Sequence, residues 1–198
     1  MRALSDVRPL HLADLDFLGR RWPVFAWAVD GADGTILVDT GMIDSTPELD
    51  ARWRPTIHPW PELGRVIAVV NTHLDFDHCG GNRRFRDVPL YVQRAEWEAV
   101  AEPEHVVEWV RFPGARYELL DGDCEIAPGV SVLLTPGHSP GHQAVVVETE
   151  EGPVVLAGDV SYSRRELAAG GSPPLERIHA LRPRRVYLSH VEEPWEPA

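Results

Sequence analysis

Only two cysteines, Cys79 and Cys124, occur in the 198 residues, far apart and without CxxC spacing. Their scarcity excludes a disulfide framework and a thiolate metal cage, and it fits a reducing cytoplasm. Cys79 follows His78 directly, yet a lone cysteine of this kind reads as a small buried hydrophobe before it reads as a redox thiol. Long apolar runs are missing too. Met1 to Leu12 lacks the charged start and continuous apolar stretch of a signal peptide, and nothing approaches membrane-spanning length, so a soluble intracellular protein with no membrane partner is expected. Positive charge is in short supply: 19 basic against 31 acidic residues leave a formal net charge of −12, which argues against nucleic acid as a partner. No repeat, low-complexity tract or charge block marks a boundary, which predicts one domain over residues 1–198. The proline-rich stretches Arg54 to Pro61 and Gly171 to Pro174 are too short to be linkers and read as surface loops.

What is present is a series of short strand-like segments between glycine and proline turns. Val24 to Val29 and Thr35 to Val38 form an expected hairpin around Asp30-Gly31-Ala32-Asp33-Gly34. Val66 to Asn71 is a continuous apolar run suited to a strand covered on both faces. Strands are further expected at Leu90 to Gln93, Tyr117 to Leu120, Val130 to Leu134, Gln143 to Glu148, Val154 to Ala157 and Arg185 to Leu188, with a hairpin tip at Glu150-Glu151-Gly152. Helices are expected from Asn82 onward, at Ala95 to Ala101, and at Leu175 to Leu181 behind Pro173 and Pro174. The pattern alone gives α/β or α+β, with early strands, late strands and helices at intervals.

The richest stretch is His73-Leu74-Asp75-Phe76-Asp77-His78, where four side chains able to bind a metal fall within six residues at the end of an apolar run. If residues 73 to 77 stay extended, His73, Asp75 and Asp77 share one face while Leu74 and Phe76 point into packing. Further signals follow other apolar runs: His138 in Thr-Pro-Gly-His-Ser-Pro-Gly-His, Asp159 in Leu-Ala-Gly-Asp, and His190 in Val-Tyr-Leu-Ser-His. Any one of the nine histidines is more often a surface or satisfied core residue than a ligand. His11, His58, His105 and His179 keep that ordinary reading, whereas His73, His78, His138 and His190 leave it through order and spacing taken together. His142 repeats the Pro-Gly-His theme and is expected to hold a ligand loop by hydrogen bonds.

This constellation resembles the metallo-β-lactamase fold superfamily, whose signature reads His-x-His-x-Asp-His, then a third His, a bridging Asp and a last His. The resemblance runs over nearly the whole chain, with one departure: Asp75 stands where most members have His. Leu37-Val38-Asp39-Thr40-Gly41-Met42, Thr135 to Gln143, and Asp159 followed by Ser161-Tyr162 are similar to motifs of the N-acyl-homoserine lactonases. The resemblance implies a four-layer αβ/βα sandwich with the ligand loops gathered at one edge. It implies two divalent ions: His73, Asp75 and His138 for the first, Asp77, His78 and His190 for the second, Asp159 between them with a shared hydroxide. Zinc suits such donors, and Asp75, a harder ligand than imidazole, brings iron or manganese into consideration. A role for Asp75 outside the donor set stays open.

By the same resemblance Asp39 steadies a ligand or a backbone turn, Gly80-Gly81 let backbone pass close to the site, and Tyr162 reaches the substrate carbonyl. Asp77 is the candidate general acid/base. Trp22, Phe25, Trp27, Trp53 and Trp60 are candidates for an apolar groove, though aromatic residues are more often core. The implied activity is metal-dependent opening of a small acyl lactone, with monomer and homodimer both open. The alternatives are a thioesterase of the glyoxalase II type, a β-lactam hydrolase, and an iron-binding redox or non-catalytic relative.

Overall fold

The computed structural model describes residues 2–101 and 105–197. Twelve strands form two sheets: β1 (Val7–Phe17), β2 (Arg20–Gly31), β3 (Gly34–Val38), β4 (Thr56–Ile57), β5 (Val66–Val70), β6 (Leu90–Gln93) and β7 (Tyr117–Leu120) in the first, β8 (Cys124–Ala127), β9 (Val130–Leu134), β10 (Gln143–Val147), β11 (Val154–Leu156) and β12 (Arg185–Tyr187) in the second. The first runs in the order β4-β1-β2-β3-β5-β6-β7, the second β12-β11-β10-β9-β8. Strands β3, β5, β6 and β7 are parallel, and β12 joins β11 in parallel at the far edge.

Period-2 alternation decides which face meets what. Trp27 and Val29 of β2 point between the sheets, where they join Ile36, Val38, Val70, Val132, Val145, Val147, Leu156 and Tyr187 in one buried cluster. Their neighbours Ala26 and Ala28 face outward with Leu10, Leu37 and Val69, under Trp60, Leu63 and Phe85. Ala144 and Val146 of β10 likewise face out, against Leu167 of the helix Arg164–Ala169 and Leu175 and Ile178 of the helix Pro173–Ala180. Two sheets with covering layers outside make the αβ/βα sandwich. Among the described residues no helix is long and apolar enough to cross a membrane.

One expectation is corrected, and two further elements stand where none was expected. Residues 73 to 77 do not stay extended: the chain turns into a short helix, Phe76–Cys79, immediately after Asp75. The turn is what lets Asp77 and His78, sequence neighbours that a strand would send to opposite faces, reach the same place. Phe76 packs with Met42, Leu49 and Trp109, and Leu74 is buried in a separate cluster. The first of these is β1, a long strand across an N-terminal stretch whose alternation is broken by a register shift between His11 and Ala13. Pro9 is tolerated there because β4 pairs only with Ala13 and Asp14, leaving Pro9 without a neighbour on that side. The second is Pro47–Trp53, a helix capped by the Thr46 side chain. The helix expected at Ala95 to Ala101 spans Arg94–Ala99, and the Asn82–Phe85 turn is 3-10.

Loops after β3, β5, β9, β11 and β12 meet at one end of the sandwich. Gln143, first residue of β10, ties the sheets there: its amide N–H donates to Thr72 O (2.8 Å) and its side-chain nitrogen to Asn71 O (2.8 Å).

Candidate metal centre

His73, Asp75, Asp77, His78, His138, Asp159 and His190 all arrive at this end. They form two overlapping sets. Asp75 Oδ2 lies 3.1 Å from His138 Nε2 and 3.4 Å from His73 Nε2. Asp77 Oδ2 lies 3.6 Å from His190 Nε2 and 3.8 Å from His78 Nε2. Asp159 stands between, with Oδ1 3.4 Å from His78 Nε2 and Oδ2 3.1 Å from His190 Nε2. The three groups His73/Asp75/His138, Asp77/His78/His190 and His73/His78/Asp159 each place one donor atom per residue within 4.8 Å of the others.

The outward hydrogen bonds assign the tautomers. His78 Nδ1 donates to Asp39 Oδ2 (2.9 Å) and His190 Nδ1 to the carbonyl of Pro23 (2.8 Å), so in each neutral ring the proton is on Nδ1 and Nε2 turns a lone pair inward. His73 Nδ1 lies 3.0 Å from Thr72 Oγ1, whose own proton goes to Asp39 Oδ2 (2.7 Å), which gives His73 the same orientation. Nitrogen lone pairs then face carboxylate oxygens. His73 Nε2, His78 Nε2 and Asp159 Oδ1 are buried without a hydrogen-bond partner among the described residues. Left so, each would cost about 1–3 kcal/mol; one divalent cation at His73 and another at His78, with Asp159 between, would satisfy all three with donors that suit it. The residues therefore fit a metal pair.

Without an ion the buried carboxylates draw a second proton onto the imidazoles, the place a bound cation takes. Burial opposes a charged His78, but Asp159, Asp77 and Asp39 outweigh it and hold its pKa well above the ordinary imidazole value. Burial likewise opposes charge on Asp159, and His190, His78 and His73 keep its carboxyl well below the usual carboxylate range. A pocket whose carboxylates stay ionised in the interior is one that holds cations.

The supporting residues are built into the fold. Asp39 is fully buried at φ 61, left-handed backbone that a non-glycine residue seldom adopts, and it accepts from the Thr72 amide (2.7 Å), the Thr72 hydroxyl and His78. Gly80 and Gly81 have ordinary negative φ, so their need is space: a Cβ would lie 2.6 Å from Phe76 O at Gly80 and 2.5 Å from Thr40 O at Gly81. His142 Nδ1 bonds Thr135 (carbonyl at 3.1 Å, hydroxyl at 2.9 Å) and its Nε2 accepts from the Asp159 amide (3.0 Å), holding the Asp159 loop in place. Burial and the nearby His73 push its pKa well below the ordinary value, as a neutral acceptor requires.

Two residues without a sequence signal also belong here. Glu96, fully buried on the Arg94–Ala99 helix, accepts from Leu74 N (3.0 Å), Ser139 Oγ (2.6 Å) and Gly141 N (3.1 Å), and so pins the His73 to His78 segment to the His138 to His142 loop. Nothing in Gln-Arg-Ala-Glu-Trp-Glu-Ala separates Glu96 from the exposed Glu98 except which face of one helical turn is buried. His105, given the ordinary reading above, comes within 3.7 Å of Asp75 Oδ1.

A cleft of about 320 Å³ opens from the cluster, lined by Leu15, Phe17, Trp22, Arg52, Trp53 and Phe76 together with Asp75, Asp77, His138, Asp159, Tyr162 and His190. Of the aromatic candidates, Trp22 and Trp53 line it. Trp27 is buried against Tyr187, Phe25 packs on His11, and Trp60 sits on Phe85 outside the first sheet. Tyr162 is 39% exposed at the rim, its hydroxyl 3.0 Å from His138 Nδ1 and its ring stacked on His190.

Comparison with known proteins identifies relatives of the chain. The chain is 35% identical over 181 residues to an N-acyl homoserine lactonase of a Bacillus species, an alignment covering 81% of this chain and 70% of that protein; other Bacillus lactonases are matched over 65% of their length. Its backbone superposes on B. thuringiensis AiiA with N-decanoyl-L-homoserine bound at the active site, at a TM-score of 0.75 and 27% identity over 93% of this chain and 91% of that one. An N-acyl homoserine lactone hydrolase with the product N-hexanoyl-L-homoserine bound at its catalytic metal center gives 0.73 and 27% over the same shares. Residues 19–190 match the Metallo-beta-lactamase superfamily as a whole, so a run of histidines and carboxylates met first as a local pattern is the hallmark of the family to which this chain belongs.

Proposed function

We propose that this protein hydrolyses N-acyl-homoserine lactones, opening the ring to the free acid. The observation that carries the reading is the cleft whose lining joins the His/Asp cluster and Tyr162 to an apolar, aromatic groove. Such a groove takes an acyl chain while the polar wall takes the lactone head. His73, Asp75 and His138 would hold one divalent ion and Asp77, His78 and His190 a second, with Asp159 between; zinc suits these nitrogen and carboxylate donors. Bound there, the pair supplies an acidified water and a Lewis-acid hold on ester oxygens.

The chain's own groups do the rest. Tyr162 donates its hydroxyl proton to the substrate carbonyl oxygen as negative charge develops on it. Burial, with Asp159 and Asp75 adding to it, raises the Tyr162 pKa, so the phenol remains a donor across the working pH range. Water adds to the carbonyl carbon, the ring C–O bond breaks, and Asp77 carries the proton from the attacking water to the departing alkoxide. Asp77 is almost fully buried beside His78 and His190, close to both events. A small neutral substrate also fits the net charge of −12 better than a polyanion. A cytoplasmic setting, read from two unpaired cysteines, belongs to the same reading.

The test is ring opening followed as acid release by the metal-loaded protein, with homoserine lactones of short to long acyl chain. Turnover of these, with Tyr162→Phe lowering kcat about 10- to 100-fold at unchanged metal content, is the expected result. A fully metallated protein that ignores every lactone and turns over a glutathione thioester would replace the lactonase reading with a thioesterase.

A further inference from the structure

Tyr162 stands on the loop between β11 and the helix Arg164–Ala169, and it is 39% exposed. A side chain that open to solvent ordinarily changes rotamer within nanoseconds, whereas a phenol that donates to a developing oxyanion has to be in place beforehand. Three contacts from other parts of the chain restrain it. The hydroxyl lies 3.0 Å from His138 Nδ1, and the ring stacks on His190 with centroids 6.1 Å apart and planes 23° apart. The third contact is Trp22 of β2, in the other sheet.

Trp22 closes a triangle with that stack. Its centroid is 5.7 Å from Tyr162 and 6.0 Å from His190, and its plane is turned 87° and 86° from theirs. Two near-parallel rings that both stand almost perpendicular to a third cannot slide or tilt without giving up the edge-to-face geometry that aromatic quadrupoles favour. Trp22 is itself anchored. It packs on the buried cluster of Leu15, Val24, Met42 and Phe76, and the Arg20 guanidinium lies 4.0 Å from its ring centroid. The next residue, Pro23, accepts from His190 Nδ1 through its carbonyl (2.8 Å), and Phe25 N donates to Ser189 O (3.0 Å). Strand β2 thus grips the His190 segment by its backbone and braces the Tyr162–His190 stack with one ring.

We propose that Trp22 is a positioning residue, which holds the Tyr162 ring against His190 so that the hydroxyl stays beside the His/Asp cluster. The inference rests on the reading of Tyr162 as the donor to the lactone carbonyl. Lining the cleft is a separate role: a groove residue acts on how tightly the acyl chain binds, a positioning residue on how fast the ring opens.

The test is a double-mutant cycle on the metal-loaded full-length protein, with Trp22→Leu and Tyr162→Phe alone and together, on homoserine lactones of short and long acyl chain. Leucine keeps an apolar side chain in the cleft and removes the ring. Trp22→Leu should lower kcat about 10-fold at unchanged metal content, and should cost little more in the Tyr162→Phe background, where no hydroxyl is left to place. Trp22→Phe, which keeps a ring, should recover most of the rate. A second readout needs no turnover: with 3-fluorotyrosine incorporated, the fluorine resonance that Tyr162→Phe removes should sharpen in Trp22→Leu and move towards its position in the urea-unfolded protein. A Trp22→Leu protein in which only KM rises, more for long acyl chains, with kcat and the resonance unchanged, overturns the proposal and leaves Trp22 a groove residue. Equal losses of kcat in both backgrounds overturn it as well. Wild-type protein that opens no lactone, or a Tyr162→Phe protein at full rate, overturns the reading of Tyr162 instead, and the resonance then decides whether Trp22 holds the ring. Trp22→Met replaces the leucine variant if that fails to fold, with the same outcomes decisive.

Discussion

Two clusters in this molecule are made of the same residue types and do different things. At His11, Asp14 and His58, between β1 and the loop after β4, both imidazole Nε2 atoms meet Asp14, at 2.8 and 3.0 Å, and the Arg21 guanidinium meets the same carboxylate at 2.8 Å. Every charge there has a partner from the chain. At His73 to His190 no arginine pairs with a carboxylate among the described residues, the outward nitrogens are engaged by Asp39, Thr72, Pro23 and Tyr162, and Nε2 of His73 and of His78 is left without a hydrogen-bond partner. Residue type does not separate a metal centre from an ion-paired surface cluster. What separates them is whether the chain itself completes the hydrogen bonds and neutralises the charge.

The sharpest way to break the contrast is Asp159→Ala. It removes the carboxylate that stands between the two sets, and it should cut ring opening by about 10³-fold or more, because the acidified water and the hold on the carbonyl, each several kcal/mol, go with the ions. Elemental analysis should then find at most one ion per chain. Two ions and near-normal turnover would show that the cluster does not work as a pair.

Glu96→Ala attacks the scaffold rather than the donors. It strands the buried amides of Leu74 and Gly141 and should destabilise the fold by about 3 kcal/mol, read as a lower urea midpoint, together with weaker metal binding. No comparable loss is expected from Glu98→Ala one turn face away, at an exposed position.

Asp39→Asn keeps size but loses the charge that orients His78. Metal affinity should fall about 10- to 100-fold in competition with a chelator. If affinity holds, the strained backbone at Asp39 serves the fold alone.

The smallest effects belong to the other cluster. His58→Ala should leave metal content and turnover unchanged, since Asp14 keeps Arg21. Burial favours a protonated Asp14, but Arg21, His11 and His58 together lower its pKa below the ordinary value. A folded-state pKa depressed in this way contributes stability above the unfolded value of about 3.9 and loses it as pH falls through the folded one. The stability difference between wild type and Asp14→Asn should therefore be present at pH 6 and shrink below about pH 4, measured by urea denaturation. A difference that persists at pH 2 would assign it to packing instead.

The sequence by itself determined the apolar strand runs, the order in which donors follow them, and the alternation that sends Trp27 and Val29 one way and Ala26 and Ala28 the other, because these follow from local backbone geometry. It carried Tyr162 and Asp39 as motif positions. It could not tell Trp22 and Trp53, which line the cleft, from Trp27 and Trp60, which do not, since aromatic residues look alike until packing chooses among them. Nor could it separate Glu96 from Glu98. Those distinctions were decided only when strands β3, β5, β9, β11 and β12 brought distant loops to one end, because whether a buried polar atom finds a partner depends on what other parts of the chain place beside it.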